Sequence, residues 1–225
     1  MSELRRIAIV GAESTGKSWL ARTLCEVLSA RGQTVHWVKE HLRLWCDREG
    51  RTPQAHEQLP IAQAQADAVL ALDMGLVIAD TTPLMTAIYS HHLFADESLY
   101  PMALAHQALY ERTLVTGLDL PWVADGLQRD GPHVRAPIDA RLRHTLIQAR
   151  LDFRVVYGQG LARLNNALLA LGLAPEDEQA WLRRESAQFD LNQGRTPWQC
   201  EKCSDPDCEH RLFTGLLGQT RTSVA

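Results

Sequence analysis

Gly11-Ala-Glu-Ser-Thr-Gly16-Lys17-Ser18 is the run whose residue types and spacing most plainly specify chemistry. It matches G-x-x-x-x-G-K-[ST] in full. Glycine lets a backbone curl until successive N–H groups converge on phosphate oxygens. A helix opening near Lys17 adds the positive end of its dipole. The lysine brings a mobile charge to the β- and γ-phosphates, and the Ser18 hydroxyl is a ligand for Mg²⁺. Gly11, Glu13, Ser14, Thr15, Gly16, Lys17 and Ser18 are therefore expected to hold ATP with Mg²⁺. A glycine turn with an incidental lysine would need no particular flanks. Here the apolar run Ile7-Ala-Ile-Val10 precedes the motif and a helical pattern follows it.

Such a loop needs a carboxylate on the metal side. Asp80 closes the apolar run Leu76-Val-Ile-Ala79, where it can hold Mg²⁺ directly or through water; its bland alternative is a cap for the turn Thr81-Thr82-Pro83. Glu40 and Arg43 follow the second strand, on the expected acceptor side. A carboxylate there can take the acceptor's hydroxyl proton and an arginine can clamp substrate or phosphate, although an exposed i, i+3 ion pair would look the same. Glu40 and Asp80 both remain open as the base. Arg129 and Arg135 flank Gly131-Pro132 in a stretch, Gly126–Pro137, that reads as a mobile loop, and arginines on a closing loop stabilise a transferring phosphoryl group. His91, His92, His106 and His144 show no ligand or triad spacing.

The elements that must position these residues alternate between strand and helix. Strands are expected at Ile7–Val10, Thr34–Val38, Leu76–Ala79, Thr113–Val115 and Phe153–Tyr157. Lys17–Ala30 carries Leu20, Leu24, Val27 and Leu28 on one helical face. An alanine-rich helix with Gln and Asp outward is expected over Pro53–Leu72, and another from Pro175 to Gln188. The alternation predicts an α/β fold, a parallel five-stranded sheet flanked by helices, with Gly11 and Asp80 both at carboxyl ends of strands, where ligands collect in such sheets. Residues 1–190 are expected to form this domain, with 191–225 as an appendage.

At 225 residues, 45% hydrophobic and 22% charged, the chain is sized for one α/β domain plus that appendage. A net charge of −4 gives no reason to expect a nucleic-acid or anionic-membrane partner. No apolar run is long enough to span a bilayer, and a cytoplasmic address is expected. In the appendage, Cys200-Glu-Lys-Cys203-Ser-Asp-Pro-Asp-Cys208-Glu-His210 offers four ligands for a structural Zn²⁺; a reduced, exposed tail is the alternative. Cys25 and Cys46 stand singly and read as small packed side chains.

Taken together, the residues resemble the ribosylnicotinamide kinase domain of NadR-like proteins from about Ile7 to Leu171. The features that carry this are the glycine loop, Glu40-x-x-Arg43, Asp80-Thr81, and Pro121-Trp122-Val-Ala-Asp125-Gly126-Leu127. The resemblance implies ATP-dependent phosphorylation of nicotinamide riboside on a nucleoside-kinase-like P-loop fold. It strengthens the reading of Glu40 and Arg43 and singles out Trp122 and Asp125 as substrate or lid elements. Lys17, Glu40, Asp80 and Arg129 are thus the expected catalytic residues, and Glu40, Arg43, Trp122 and Asp125 the expected substrate-binding ones. Two departures stand out. The family usually shows Asp-Thr-Asp where this chain has Asp80-Thr81-Thr82, and Ala124 replaces an acidic residue often found before Asp125. No H-x-G-H-type adenylyltransferase motif precedes the P-loop. A regulatory ATP-binding module that switches a partner is the competing reading. A GTPase is disfavoured by the lack of an N-K-x-D motif, and a motor by the short, acidic chain.

Overall fold

The computed structural model describes residues 4–123 and 132–191. Five aliphatic, β-branched runs become strands: β1 Arg5–Val10, β2 Val35–Val38, β3 Leu76–Asp80, β4 Arg112–Thr116 and β5 Arg154–Val156. They pair in parallel in the order β2-β3-β1-β4-β5. Parallel neighbours need crossover connections, and helices supply them: α1 Lys17–Ala30, α2 His41–Glu49, α3 Gln58–Leu70, α4 Pro83–Phe94, α5 Tyr100–Gln107, α6 Pro132–Gln148 and α7 Gly160–Ala170. Every residue of β3, and Ile7 to Val10 of β1, is buried. Successive strand residues point to opposite faces, so unbroken burial means both faces of the central sheet are covered.

The register sets the site. Ile9 lies abreast of Asp80, and Val10 abreast of Val115. Gly11, Asp80 and Thr116 therefore gather at one edge, the carboxyl ends of β1, β3 and β4. The chain leaves β1 toward β2 and later crosses to β4 on the other side of β1. Such a reversal of strand order opens a crevice above the sheet.

Two expectations are corrected. Arg135 and Pro137 are not in a loop, because α6 begins at Pro132. Val134, Ile138, Leu142 and Leu146 recur every fourth residue and are all buried. That stripe outweighs the one backbone bond that Pro137 forfeits. Likewise the glutamines of α3 do not all face outward. Gln58 and Gln65, seven residues apart, are buried, while Gln63 donates to exposed Asp67 at 2.8 Å. Among the described residues no helix is long and apolar enough to cross a membrane.

The chain divides into two compact units, Met1–Glu176 and Asp177–Ala225. Of the second, helix α8, Glu178–Leu191, is described. Asp177 caps it, its Oδ1 accepting from the Ala180 N–H at 2.9 Å.

Candidate functional site

The loop between β1 and α1 is shaped by positive backbone angles, with φ of 154° at Gly11, 53° at Ser14 and 74° at Gly16. Gly11 has no alternative: a Cβ there would meet the Thr116 Oγ1 at 2.1 Å. The loop's own bonds hold the curl. Thr15 Oγ1 donates to the Ala12 carbonyl at 2.7 Å and lies 2.6 Å from Thr116 Oγ1, and Lys17 Nζ donates to the Ala12 carbonyl at 2.9 Å.

Further contacts tie the loop to its surroundings. The Glu13 N–H donates to Tyr89 Oη on α4 at 3.1 Å. Trp122 Nε1–H donates to Glu13 Oε1 at 2.9 Å, and the Val123 N–H to Ser14 Oγ at 2.9 Å. Trp122, expected on the substrate or lid side, is thus bonded to the glycine loop itself.

Asp80 ends β3 and is 2% exposed. Burial pushes its pKa up to about 6, the nearby charge of Glu40 adds to that, and Ser18, Lys17 and Arg43 pull it back. Four groups expected to act with Asp80 therefore bear electrostatically on its carboxyl. Asp80 Oδ1 is buried with no hydrogen-bond partner among the described residues. An unpartnered carboxylate oxygen on a side chain that also feels the Ser18 hydroxyl and the Lys17 charge is a hard-oxygen setting that fits Mg²⁺ with phosphate.

Glu40 occupies the N-cap of α2, and its Oε2 lies 3.7 Å from Arg43 Nε. The cap is held by a residue that no motif marks. Gln65 of α3 accepts the His41 N–H at 2.8 Å and donates to the Thr81 carbonyl at 3.4 Å. One buried amide thus spans the two chain ends that carry Glu40 and Asp80. Thr81 is left-handed at φ 70°, which is costly for a β-branched residue. Next to it, Thr82 donates to Gln107 Oε1 at 2.7 Å, and Gln107 Nε2 to Thr113 Oγ1 at 3.0 Å. The position where the resembled family carries a second carboxylate is thus committed to a buried polar chain.

On the other flank Arg163 of α7 is 1% exposed. Burial lowers its pKa and the Asp119 carboxylate pulls it back up. Gln65, Tyr89, Asp119 and Arg163 stand outside every motif of the sequence. The weak signal available was a glutamine seven residues from another within an alanine-rich helix.

Asp125, Arg129, Ala124, Cys200, Cys203, Cys208 and His210 lie outside the described residues. Among the described residues no group of three or more His, Cys, Asp and Glu is disposed to hold a metal ion. Cys46 is buried and Cys25 half-buried, both unpaired, and burial raises their thiol pKa values to about 11 and about 12.

With this geometry in hand, residues 6–163 match the family model described as an AAA domain. The chain belongs to that family. Its fold is similar to the crystal structure of NadR protein in complex with NR, at a TM-score of 0.57 and 19% identity, over 79% of this chain and 54% of that one. It is equally similar to NadR in complex with NAD and AMP-PNP, at 0.57 and 17% identity, over 78% and 51%. The fold is thus the P-loop kinase-like one that the sequence implied. The chain spans about half the length of those NadR chains. A search of curated proteins finds no match.

Proposed function

We propose that this protein transfers the γ-phosphoryl group of ATP to a hydroxyl of a small nucleoside-like metabolite, with nicotinamide riboside the first acceptor to test. The observation that carries the reading is the convergence of Lys17, Ser18, Glu40 and Arg43 on the buried Asp80 at the mouth of a complete P-loop. A fold shared with proteins whose structures hold NR and AMP-PNP supports it.

In the proposed reaction the loop N–H groups and Lys17 hold the β- and γ-phosphates. Ser18 and Asp80 would hold Mg²⁺, which supplies charge neutralisation at the phosphate oxygens. Of the two carboxylates, Glu40 is the better base. Asp80 is sealed on the cation side, whereas the Glu40 side chain keeps 19% of its exposure at a helix cap. Glu40 takes the proton of the acceptor hydroxyl, whose oxygen bonds to the γ-phosphorus as the bridging oxygen departs with ADP. Arg43 steadies the acceptor or the charge it gains. Trp122 and Asp125 are assigned to the lid and substrate side on the resemblance alone, and Arg129 to the lid on the sequence pattern around Gly131-Pro132.

The test is ATP consumption by the purified protein against a nucleoside panel that includes nicotinamide riboside. Turnover with nicotinamide riboside is expected and would show that the carboxylate missing at Thr82 is dispensable. Turnover with another nucleoside alone would keep the transfer and discard the acceptor. ATP binding with no turnover would discard the kinase and favour a regulatory ATP-binding module, a reading suggested by Thr82 being tied up with Gln107.

A further inference from the structure

In-line transfer places acceptor and leaving nucleotide on opposite sides of the γ-phosphorus. With Glu40 and Asp80 on the β2–β3 side, the nucleoside end of ATP falls over the carboxyl ends of β4 and β5. One ion pair, between buried Arg163 and the partly exposed Asp119, ties the loops there together. Arg163 Nη1–H donates to the Gly158 carbonyl at 2.9 Å and sits 3.3 Å from Asp119 Oδ1. Asp119 Oδ2 in turn accepts the Gly158 N–H at 2.6 Å. From the same guanidinium, Nη2–H donates to the carbonyl of Thr15 in the glycine loop. Loops after β1, β4 and β5 therefore meet on a single side chain.

Burying a guanidinium is expensive unless its donors are matched. Here both Nη groups are matched, while Nε is buried without a partner among the described residues. The consequence of the Nη2 bond lies in the peptide plane. A trans peptide is planar, with its C=O and N–H pointing in opposite directions. Fixing the Thr15 carbonyl toward α7 therefore aims the Gly16 N–H away from α7. Gly16 itself sits at φ 74°, and a Cβ on it would meet Leu120 at 2.9 Å, so the position suits glycine.

We infer that Arg163 is a positioning residue for the triphosphate, fixing the Thr15–Gly16 peptide and locking it to the Gly158 loop through Asp119. The inference rests on the reading of the P-loop as an ATP site. No substrate contact is assigned to Arg163 itself. Its fork spans two carbonyls and a carboxylate, a geometry that lysine's single ammonium cannot reproduce.

The experiment titrates the full chain, as wild type, Arg163→Lys and Asp119→Asn, with ATP–Mg²⁺ and with inorganic tripolyphosphate, which has no nucleoside. For Arg163→Lys, affinity for both should fall about tenfold, while KM for the acceptor found in the panel above stays within about twofold. Asp119→Asn should lose about threefold on both probes. Should Arg163→Lys fail to fold, as judged by circular dichroism, Asp119→Asn carries the test alone. Unchanged tripolyphosphate affinity in a folded variant overturns the inference, as does an equal loss on the acceptor side. If wild-type protein binds neither probe, the ATP reading itself falls, a result distinct from either of those.

Discussion

On the phosphate side of the site, Thr15, Lys17 and Arg163 each close a hydrogen bond onto a loop carbonyl, while Trp122 and Val123 bond Glu13 and Ser14. Toward the acceptor side, Glu40 and Arg43 approach only to 3.7 Å. Between the two sides, on the cation, Asp80 keeps an oxygen unpartnered among the described residues, and next to it Thr81 holds a strained backbone. The contrast follows from what each side must do. Phosphate recognition uses backbone dipoles that have to be aimed before the ligand arrives, since preorganisation removes the reorganisation cost at the moment of reaction. An acceptor side has to admit and release different molecules each turnover. Partly exposed side chains anchored from behind by Gln65 suit that better than a closed net.

The largest effect should come from the one mobile charge on the rigid side. Lys17→Ala is expected to lower kcat/KM about 10³-fold, at the upper end of what losing one preorganised electrostatic contact costs. The loop should keep its shape, because Thr15 and Arg163 still hold it, so circular dichroism should be unchanged. Steady-state kinetics with the active acceptor checks this; near wild-type turnover would remove the loop from the chemistry.

Glu40→Gln tests the looser side. It keeps the shape and removes the base, so kcat should fall about 10²-fold, at the low end for general-base loss because Asp80 and Lys17 stay in place. ATP affinity should hold. If ATP affinity falls as much as kcat does, the two sides are one electrostatic unit and the contrast drawn above is wrong.

What the sequence disclosed divides along the same line. The glycine loop was legible because its spacing is dictated by phosphate geometry, and α1 was legible from Lys17 to Ala30 because Leu20, Leu24, Val27 and Leu28 form one face. Strands were readable because buried parallel strands are continuous apolar runs. By contrast Arg163 and Asp119 meet across 44 residues, and Arg163 reaches Thr15 across 148. Contacts of that separation leave no local periodicity. Gln65 was hidden for another reason: burial of a polar side chain depends on a partner, here the His41 N–H, that no helical pattern reveals. Pro137 misled because proline's propensity cost is local, whereas the buried stripe from Val134 to Leu146 that overrides it is tertiary.

The smallest predicted effect lies away from the site, in the packing of α5. His106 is buried with its ring set edge-on to Tyr110, their centroids 5.4 Å apart. Burial lowers its pKa below the ordinary value near 6.5; the charge of Arg6 lowers it further, while a backbone contact at Ala66 and the charge of Asp67 oppose that. A histidine whose folded pKa is depressed stays neutral in the fold and takes up its proton on unfolding. Its contribution is therefore fully present above pH 6.5 and is lost as pH falls below that value toward the folded pKa. Thermal midpoints measured between pH 7.5 and 5.5 should decline for the wild type, and His106→Gln should flatten that slope whatever it does to the midpoint at neutral pH. Equal slopes in the two proteins would mean that the ring is hydrated in solution and that α5 packs more loosely there than its burial implies. Because His106 shares α5 with Gln107, the partner of Thr82, ATP affinity at pH 5.5 becomes a second readout. If that affinity tracks the His106 slope, the polar chain behind Thr82 transmits α5 packing to the site. If it does not, the rigid phosphate side is insulated from its own scaffold.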